Sequence, residues 1–195
     1  FRYRAQGERL ERMPASPRWV GGGFRNVYPI APGLRDATAP RPTLREFLSN
    51  GNRRVPGAPL PSVDPREAWG RPSASGLRAT WLGHSTVLLE MDGHRVLTDP
   101  VWGTRASPFR LLGPKRFQPV PLRLRDMPEV DVVVISHDHY DHLDYPTIHA
   151  LAKRSNVPFV TSLGVGAHLQ AWGIAPERIT ELDWWETHRV PCTGL

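Results

Sequence analysis

Val130-Asp131-Val132-Val133-Val134-Ile135-Ser136 runs directly into His137-Asp138-His139-Tyr140-Asp141-His142, and this junction constrains the chain more than any other feature. A run of β-branched residues with a single acid predicts a buried strand over Val130–Ser136. Four potential metal ligands lie within the six residues that follow. In extended backbone, residues two apart face the same side, so His137 and His139 can converge on one ion. Asp141 and His142 come where the chain turns toward a helix start at Asp144, and they can reach a second position. Imidazole nitrogens with a carboxylate suit Zn2+, and an incomplete protein ligand set leaves room for water. Two such ions about 3.5–4 Å apart can activate a water and clamp a phosphoryl or carbonyl oxygen. A solvated polar strand end is the bland alternative, and it does not account for this density of ligands directly after an apolar strand. Asp138 and Tyr140 fall on the opposite side of the alternation and read as packing residues or as supports for the ligands.

The surrounding pattern is that of an α/β domain. Arg78–Leu82 and Ser85–Met91 read as strands, Asp92-Gly93 is a two-residue hairpin signal, and Arg95–Thr98 is the returning strand. A long proline-containing loop over 101–129 separates this hairpin from the central strand, and loops of that length are usually functional or lid-like. Beyond the histidine cluster, Asp144 and Pro146 open a helix closed by Lys153-Arg154. Val157–Thr161 is the next strand, Gly164–Trp172 a helix stopped at Gly173, and Ile179–Trp185 a further strand. Alternating strands and helices predict an α/β fold with a mainly parallel section.

Residues 1–75 form a different compositional zone. They hold 13 arginines, 6 acids and 11 prolines, whereas all eight histidines lie at position 84 or later. This arm reads as mostly extended coil that wraps on the body, with short helical turns at Thr43–Leu48 and Pro65–Trp69. Three roles are open for its net positive charge: a solvated or core-wrapping leader, contact with anionic phospholipid headgroups, and, more weakly, nucleic acid, for which no recognition motif is present. One cysteine, Cys192, excludes an internal disulfide framework and reads as an inert thiol. No apolar run reaches the ~20 residues that a membrane-spanning helix needs.

Beyond the histidine cluster, several stretches carry a family resemblance. His137–His142 resembles the HxHxDH signature of the metallo-β-lactamase superfamily. Trp81-Leu82-Gly83-His84-Ser85-Thr86, Leu97–Trp102, Gly113-Pro114-Lys115-Arg116-Phe117 and Glu181-Leu182-Asp183-Trp184-Trp185-Glu186 are similar to the branch related to N-acylphosphatidylethanolamine-hydrolysing phospholipase D. Gly7–Arg12, Ser16-Pro17 and Gly23–Asn26 resemble the leader of bacterial members. The resemblance implies an αββα sandwich of which residues 76–195 supply about the first half. It also implies two zinc ions in the complete protein, His137 and His139 on one and Asp141 and His142 on the other, with the remaining ligands beyond Leu195.

Two further residues stand near that site by resemblance. Asp99, before Pro100, either caps a turn or accepts a hydrogen bond from a ligating imidazole and fixes its tautomer. His84 has a supporting or an incidental role. His94, His149 and His168 read as surface or packing residues, and His188 as part of an ordinary strand start rather than a third zinc ligand.

The function expected is zinc-dependent hydrolysis of a phosphodiester, as in N-acylphosphatidylethanolamine or a related phospholipid, with Asp141 holding and orienting the attacking water. Lactone or ester hydrolysis at the same site is the second possibility, and a non-catalytic membrane-surface binding protein the third. A phospholipid or other small phosphodiester is the expected partner, with a membrane surface possible and nucleic acid not expected. A cytoplasmic or inner-membrane-associated bacterial location is expected, and a chain lacking the second half is expected to be inactive by itself.

Overall fold

The computed structural model describes residues 3–28, 43, 55–109 and 111–191. Most of the expected Thr43–Leu48 turn, and Cys192, lie outside the described residues.

A six-stranded sheet organises the body, its strands hydrogen-bonded in sequence order. After a short hairpin in the arm, β1 (Trp19–Val20) with β2 (Gly23–Phe24), the sheet comprises β3 (Leu77–Gly83), β4 (Thr86–Met91), β5 (His94–Thr98), β6 (Val132–Ile135), β7 (Phe159–Ser162) and β8 (Ile179–Leu182). The first three strands form an antiparallel meander, turned at Asp92-Gly93, where both residues have positive φ. From β5 onward every pairing is parallel; the two body helices provide the crossovers from β6 to β7 and from β7 to β8, and the long 101–129 loop provides the one from β5 to β6. The sheet is therefore mixed, and its parallel half carries the histidine cluster.

Alternation along the strands sorts side chains onto two faces. Leu88, Leu97, Val133, Ile135 and Phe159 point to one face and form the main core with Ile148 and Leu151 of the helix Tyr145–Arg154 and Leu169 of the helix Gly166–Ala171. Val96 and Val132 point to the other face, where a smaller cluster includes Val190. Asp144 caps the first helix, accepting from Thr147 N at 3.3 Å and from the Thr147 hydroxyl. Arg178 ties the end of that helix to the sheet, donating to the carbonyls of Ala152, Ser155 and Val157.

Three expectations need correction. The arm is not coil near its start: Glu8–Ala15 is a helix with acids in its first turn and Arg12 in its last, the arrangement that its dipole favours. Gly21 and Gly22, both at positive φ, then turn the β1–β2 hairpin, which the sequence reading also missed. The last strand stops at Leu182, because Asp183–Glu186 closes a turn in which Glu186 N donates to Asp183 O and Trp185 takes a φ of 69°. His188 consequently lies in irregular chain rather than at a strand start, its Nε2 3.4 Å from Thr180 Oγ1. The smaller helical turn near Pro65 is present as Arg66–Trp69.

Candidate metal centre

β6 ends at Ile135, one residue before Ser136, and the chain then leaves the sheet. Val132, Val133 and Ile135 are buried, so this strand is an interior member of the sheet and not an edge. Its C-terminal end opens where the parallel strands β5 and β7 also end, the usual position of a site in an open α/β sheet. His142 N and Leu143 N both donate to His139 O, and this tight turn folds the cluster back on itself.

The folded cluster brings the expected ligands together and adds one. The His137 ring lies 4.6 Å from that of His139 and 4.0 Å from that of His142, centroid to centroid. Asp141 Oδ2 is 2.9 Å from His84 Nε2 and 3.9 Å from His142 Nε2. One ligand atom from each of His84, Asp141 and His142 falls within 4.8 Å of the others. A nitrogen–nitrogen–oxygen set this close, with two more imidazoles alongside, has the donor chemistry of a site for Zn2+ or a similar divalent ion. The residues present therefore fit a metal.

His84 reaches the cluster from the β3–β4 turn, across 57 positions of sequence, at a φ of 48°. Its neighbour Ser85 donates from its hydroxyl to Asp141 O at 3.1 Å, so the same turn holds both the backbone and the carboxylate of Asp141. The sequence reading placed His84 near the site but gave no sign that it meets Asp141 directly.

Asp99 lies under the cluster. Its Oδ2 is 2.9 Å from His142 Nδ1 and accepts from the Ser136 hydroxyl at 2.7 Å, while Oδ1 accepts from Ser136 N at 2.7 Å. An Nδ1–H donated to a carboxylate leaves Nε2 as the free lone pair, which fixes the tautomer of a ligating imidazole. Ser136 Oγ is also 2.9 Å from His137 Nδ1, so one hydroxyl links Asp99 to a second histidine.

Electrostatics favour a bare His137 imidazole and an ionised Asp141 carboxylate. Burial lowers the His137 pKa, and repulsion from His142 and His139 lowers it further. For Asp141 burial acts upward, but hydrogen bonds from its own backbone and from His84 outweigh it, and the carboxyl lies below its ordinary range.

Asp138, outside the convergent group, faces His168 Nε2 at 3.6 Å, and the edge of Tyr3 from the arm meets the His168 ring. His168 is thus a buried packing residue that touches the base of the cluster. His94 and His149 lie away from it, beside Asp131 and Tyr145 respectively.

The cluster borders a trough of about 2250 Å³, walled by His84, Tyr140 and Asp141 on one side and by the 101–121 loop on the other. Small-molecule pockets usually enclose about 300–1,000 Å³, so this opening admits something larger or longer. The loop wall is an irregular hairpin fastened by an Arg105–Lys115 bridge, and its tip exposes Phe109, Leu111 and Leu112.

Comparison with known proteins agrees with this architecture. A model of the beta-lactamase superfamily domain matches residues 94–195. An uncharacterized protein of Mycobacterium bovis is 46% identical over 175 residues, which cover 90% of this chain and 46% of that protein. The N-acyl-phosphatidylethanolamine-hydrolyzing phospholipase D 1 of Caenorhabditis elegans is 43% identical over 193 residues, 96% of this chain and 51% of that enzyme. A UPF0173 metal-dependent hydrolase of Anaeromyxobacter sp. is 33% identical over 112 residues, 57% of this chain and 35% of that protein. The chain spans about half the length of the first two of these relatives. With the superfamily model covering just over half of its residues, from the β5 strand through the histidine cluster onward, the chain belongs to the metallo-β-lactamase superfamily.

Proposed function

We propose that this chain carries the metal-binding part of a zinc-dependent hydrolase that cleaves a phosphodiester in a phospholipid, N-acylphosphatidylethanolamine or a relative of it. The observation that carries the reading is the convergence of His84, Asp141 and His142 at the mouth of a trough too large for a small-molecule slot. Similarity to an enzyme named for hydrolysis of that phospholipid supports the substrate class.

His137 and His139 would hold one ion, and Asp141 and His142 a second. Bound zinc supplies Lewis acidity and lowers the pKa of water. Asp141 stays ionised beside His84, with its backbone carbonyl held by Ser85, and accepts a hydrogen bond from the attacking water to aim it. Asp99 keeps the His142 proton on Nδ1 and the Nε2 lone pair toward the site. The 101–121 loop limits the access of bulk water on one side, and its exposed apolar tip is suited to acyl chains.

Hydrolysis of a lactone or another ester is the second reading, since polarisation of a carbonyl would use the same residues. A binding protein that rests on a membrane surface through its basic arm is the third. The full-length protein, loaded with zinc, should cleave a phosphodiester lipid far faster than a lactone or simple ester. His139→Ala should lower its zinc content and abolish turnover while circular dichroism stays unchanged. Wild-type turnover in that variant, with metal measured by elemental analysis, refutes the ligand assignment. Liposome sedimentation with and without residues 1–75 separates the binding reading from the catalytic ones.

A further inference from the structure

Arg116 stands in the trough wall without an ion-pair partner among the described residues. Its Nη2 donates to Val101 O at 2.8 Å, and its Nε reaches Gly103 O at 3.5 Å. Arg78 and Arg95 meet Glu90 and Arg123 meets Asp126, whereas Arg154 and Arg178 also donate to backbone carbonyls but do not line the trough. Of the other cations lining the trough, Arg105 turns its guanidinium to Gly113 O and Lys115 is solvent-exposed.

The place of Arg116 is as specific as its pairing. Gly83 has a φ of +110°, and a Cβ built there would come within 2.9 Å of Arg116 Nη1. Glycine thus serves two needs, a backbone shape that other residues resist and room for a guanidinium. Nη1 lies against the residue immediately before His84, whose Nε2 is 2.9 Å from Asp141.

A guanidinium half-removed from water with no counter-ion in contact has unspent electrostatic capacity. Burial lowers the Arg116 pKa, and the charge of Asp144 opposes that effect from a distance. Asp144 acts only through that field and makes no ion pair with Arg116. Its Oδ2 accepts from Gly103 N, Thr147 N and the Thr147 hydroxyl. An anionic oxygen arriving at Nη1 would gain a charge-assisted hydrogen bond in a partly dry setting.

We infer that Arg116 determines specificity for the charge of the substrate, its Nη1 taking one non-bridging oxygen of a phosphodiester while the phosphorus sits before the histidine cluster. This rests on the phosphodiesterase reading above and extends it. A phosphodiester is a monoanion at neutral pH with two non-bridging oxygens to share between a guanidinium and the cluster. A lactone or simple ester has no charge to offer Arg116, which would then remain uncompensated.

The test uses the full-length protein with Arg116→Gln, which keeps a donor for Val101 O but no charge, and Arg116→Lys, which keeps the charge. With zinc bound, KM and kcat are measured for bis(p-nitrophenyl) phosphate and for neutral p-nitrophenyl acetate. Without metal, the binding of dibutyl phosphate is measured by calorimetry. Arg116→Gln should raise KM for the diester and weaken dibutyl phosphate binding by about tenfold, the effect of one charge-assisted hydrogen bond. It should leave the neutral ester unchanged, and Arg116→Lys should recover most of the loss. Equal losses on both substrates, or undiminished dibutyl phosphate binding, overturn the inference and make Arg116 a tether of the loop only. A wild-type protein that binds dibutyl phosphate through Arg116 but cleaves no diester refutes the phosphodiesterase reading and leaves the anion site standing. Diester cleavage unaffected by Arg116→Gln does the reverse.

Discussion

At Asp99 the backbone φ is 39°, a region in which aspartate and asparagine are several-fold enriched over other non-glycine residues. That tolerance allows a substitution that changes charge while keeping shape. Asp99→Asn preserves an acceptor for Ser136 N but replaces the carboxylate oxygen that faces His142 Nδ1 and the Ser136 hydroxyl. An amide NH2 at that place opposes the Nδ1–H, so His142 loses its fixed tautomer. Zinc affinity of the full-length protein should fall about 10–100-fold, the usual cost of losing such a support. Competition against a chelator measures it, and unchanged affinity would reject the role of Asp99. At this scale the sequence displayed the ligands because four of them are nearly contiguous. It could not display the Asp141–His84 contact, since nothing local to Gly83-His84-Ser85 records a partner 57 positions away.

Among the elements, the helix Glu8–Ala15 shows why local pattern was an incomplete guide. None of its residues is buried, so it lacks the apolar stripe by which helices are read from sequence. It is held by charge instead. Arg9 Nε lies 2.9 Å from Glu181 Oε1, Arg12 donates to Glu181 O, and Arg12 also meets Glu186. Strands β3 to β7 were legible because alternation, the Asp92-Gly93 turn and the apolar run are all local signals. Their ends were less so: Val130 and Asp131 precede β6, and there Asp131 N donates to Arg95 O while its carboxylate, not its backbone, accepts from Arg95 N.

The Arg9–Glu181 pair also sets a pH dependence. Glu181 is buried, and burial raises its pKa above the ordinary 4.5, against the opposing effects of the Arg9 charge and the Gly166 N–H. A carboxyl whose folded pKa is raised binds protons more tightly when folded. Its own contribution to stability therefore falls as pH rises from about 4.5 through the raised value, and it is fully lost above that. Arg9→Met removes the compensating cation and leaves Glu181 buried without its ion pair. The cost should be about 3 kcal/mol at pH 8, as for other broken buried pairs, and smaller at pH 5, where Glu181 can take up a proton. Urea unfolding at both pH values tests this, with Glu186→Gln as an exposed-pair control costing about 0–1 kcal/mol. An equal loss at both pH values would separate the helix contact from the charge of Glu181.

For the whole molecule, the two faces of the sheet are unequally covered. The main core has both body helices above it, and Leu88, Leu97, Val133 and Phe159 are fully buried there. On the opposite face Val96, Val132 and Val190 are buried, whereas Leu89, Met91, Val134 and Val160 are only partly so. Strand alternation makes this second face as apolar as the first, as expected of a sheet that carries layers on both sides. We propose that the second half of an αββα sandwich covers it in the full-length protein and supplies the further ligands that two zinc ions need, about four apiece. Residues 1–195 produced alone should then bind a hydrophobic dye more strongly per mole than the full-length protein, because the partly covered valines and leucines become available to it. The same polypeptide should bind zinc weakly in a calorimetric titration and show no turnover of a phosphodiester. His84 bears on the outcome: with it, five candidate donors stand at the end of the sheet, enough for one ion but too few for two. Loose binding of one zinc without turnover is therefore the expected result. Tight binding of two, with hydrolysis and no excess dye binding, would mean that residues within 1–195 complete the site and that the second face needs no partner.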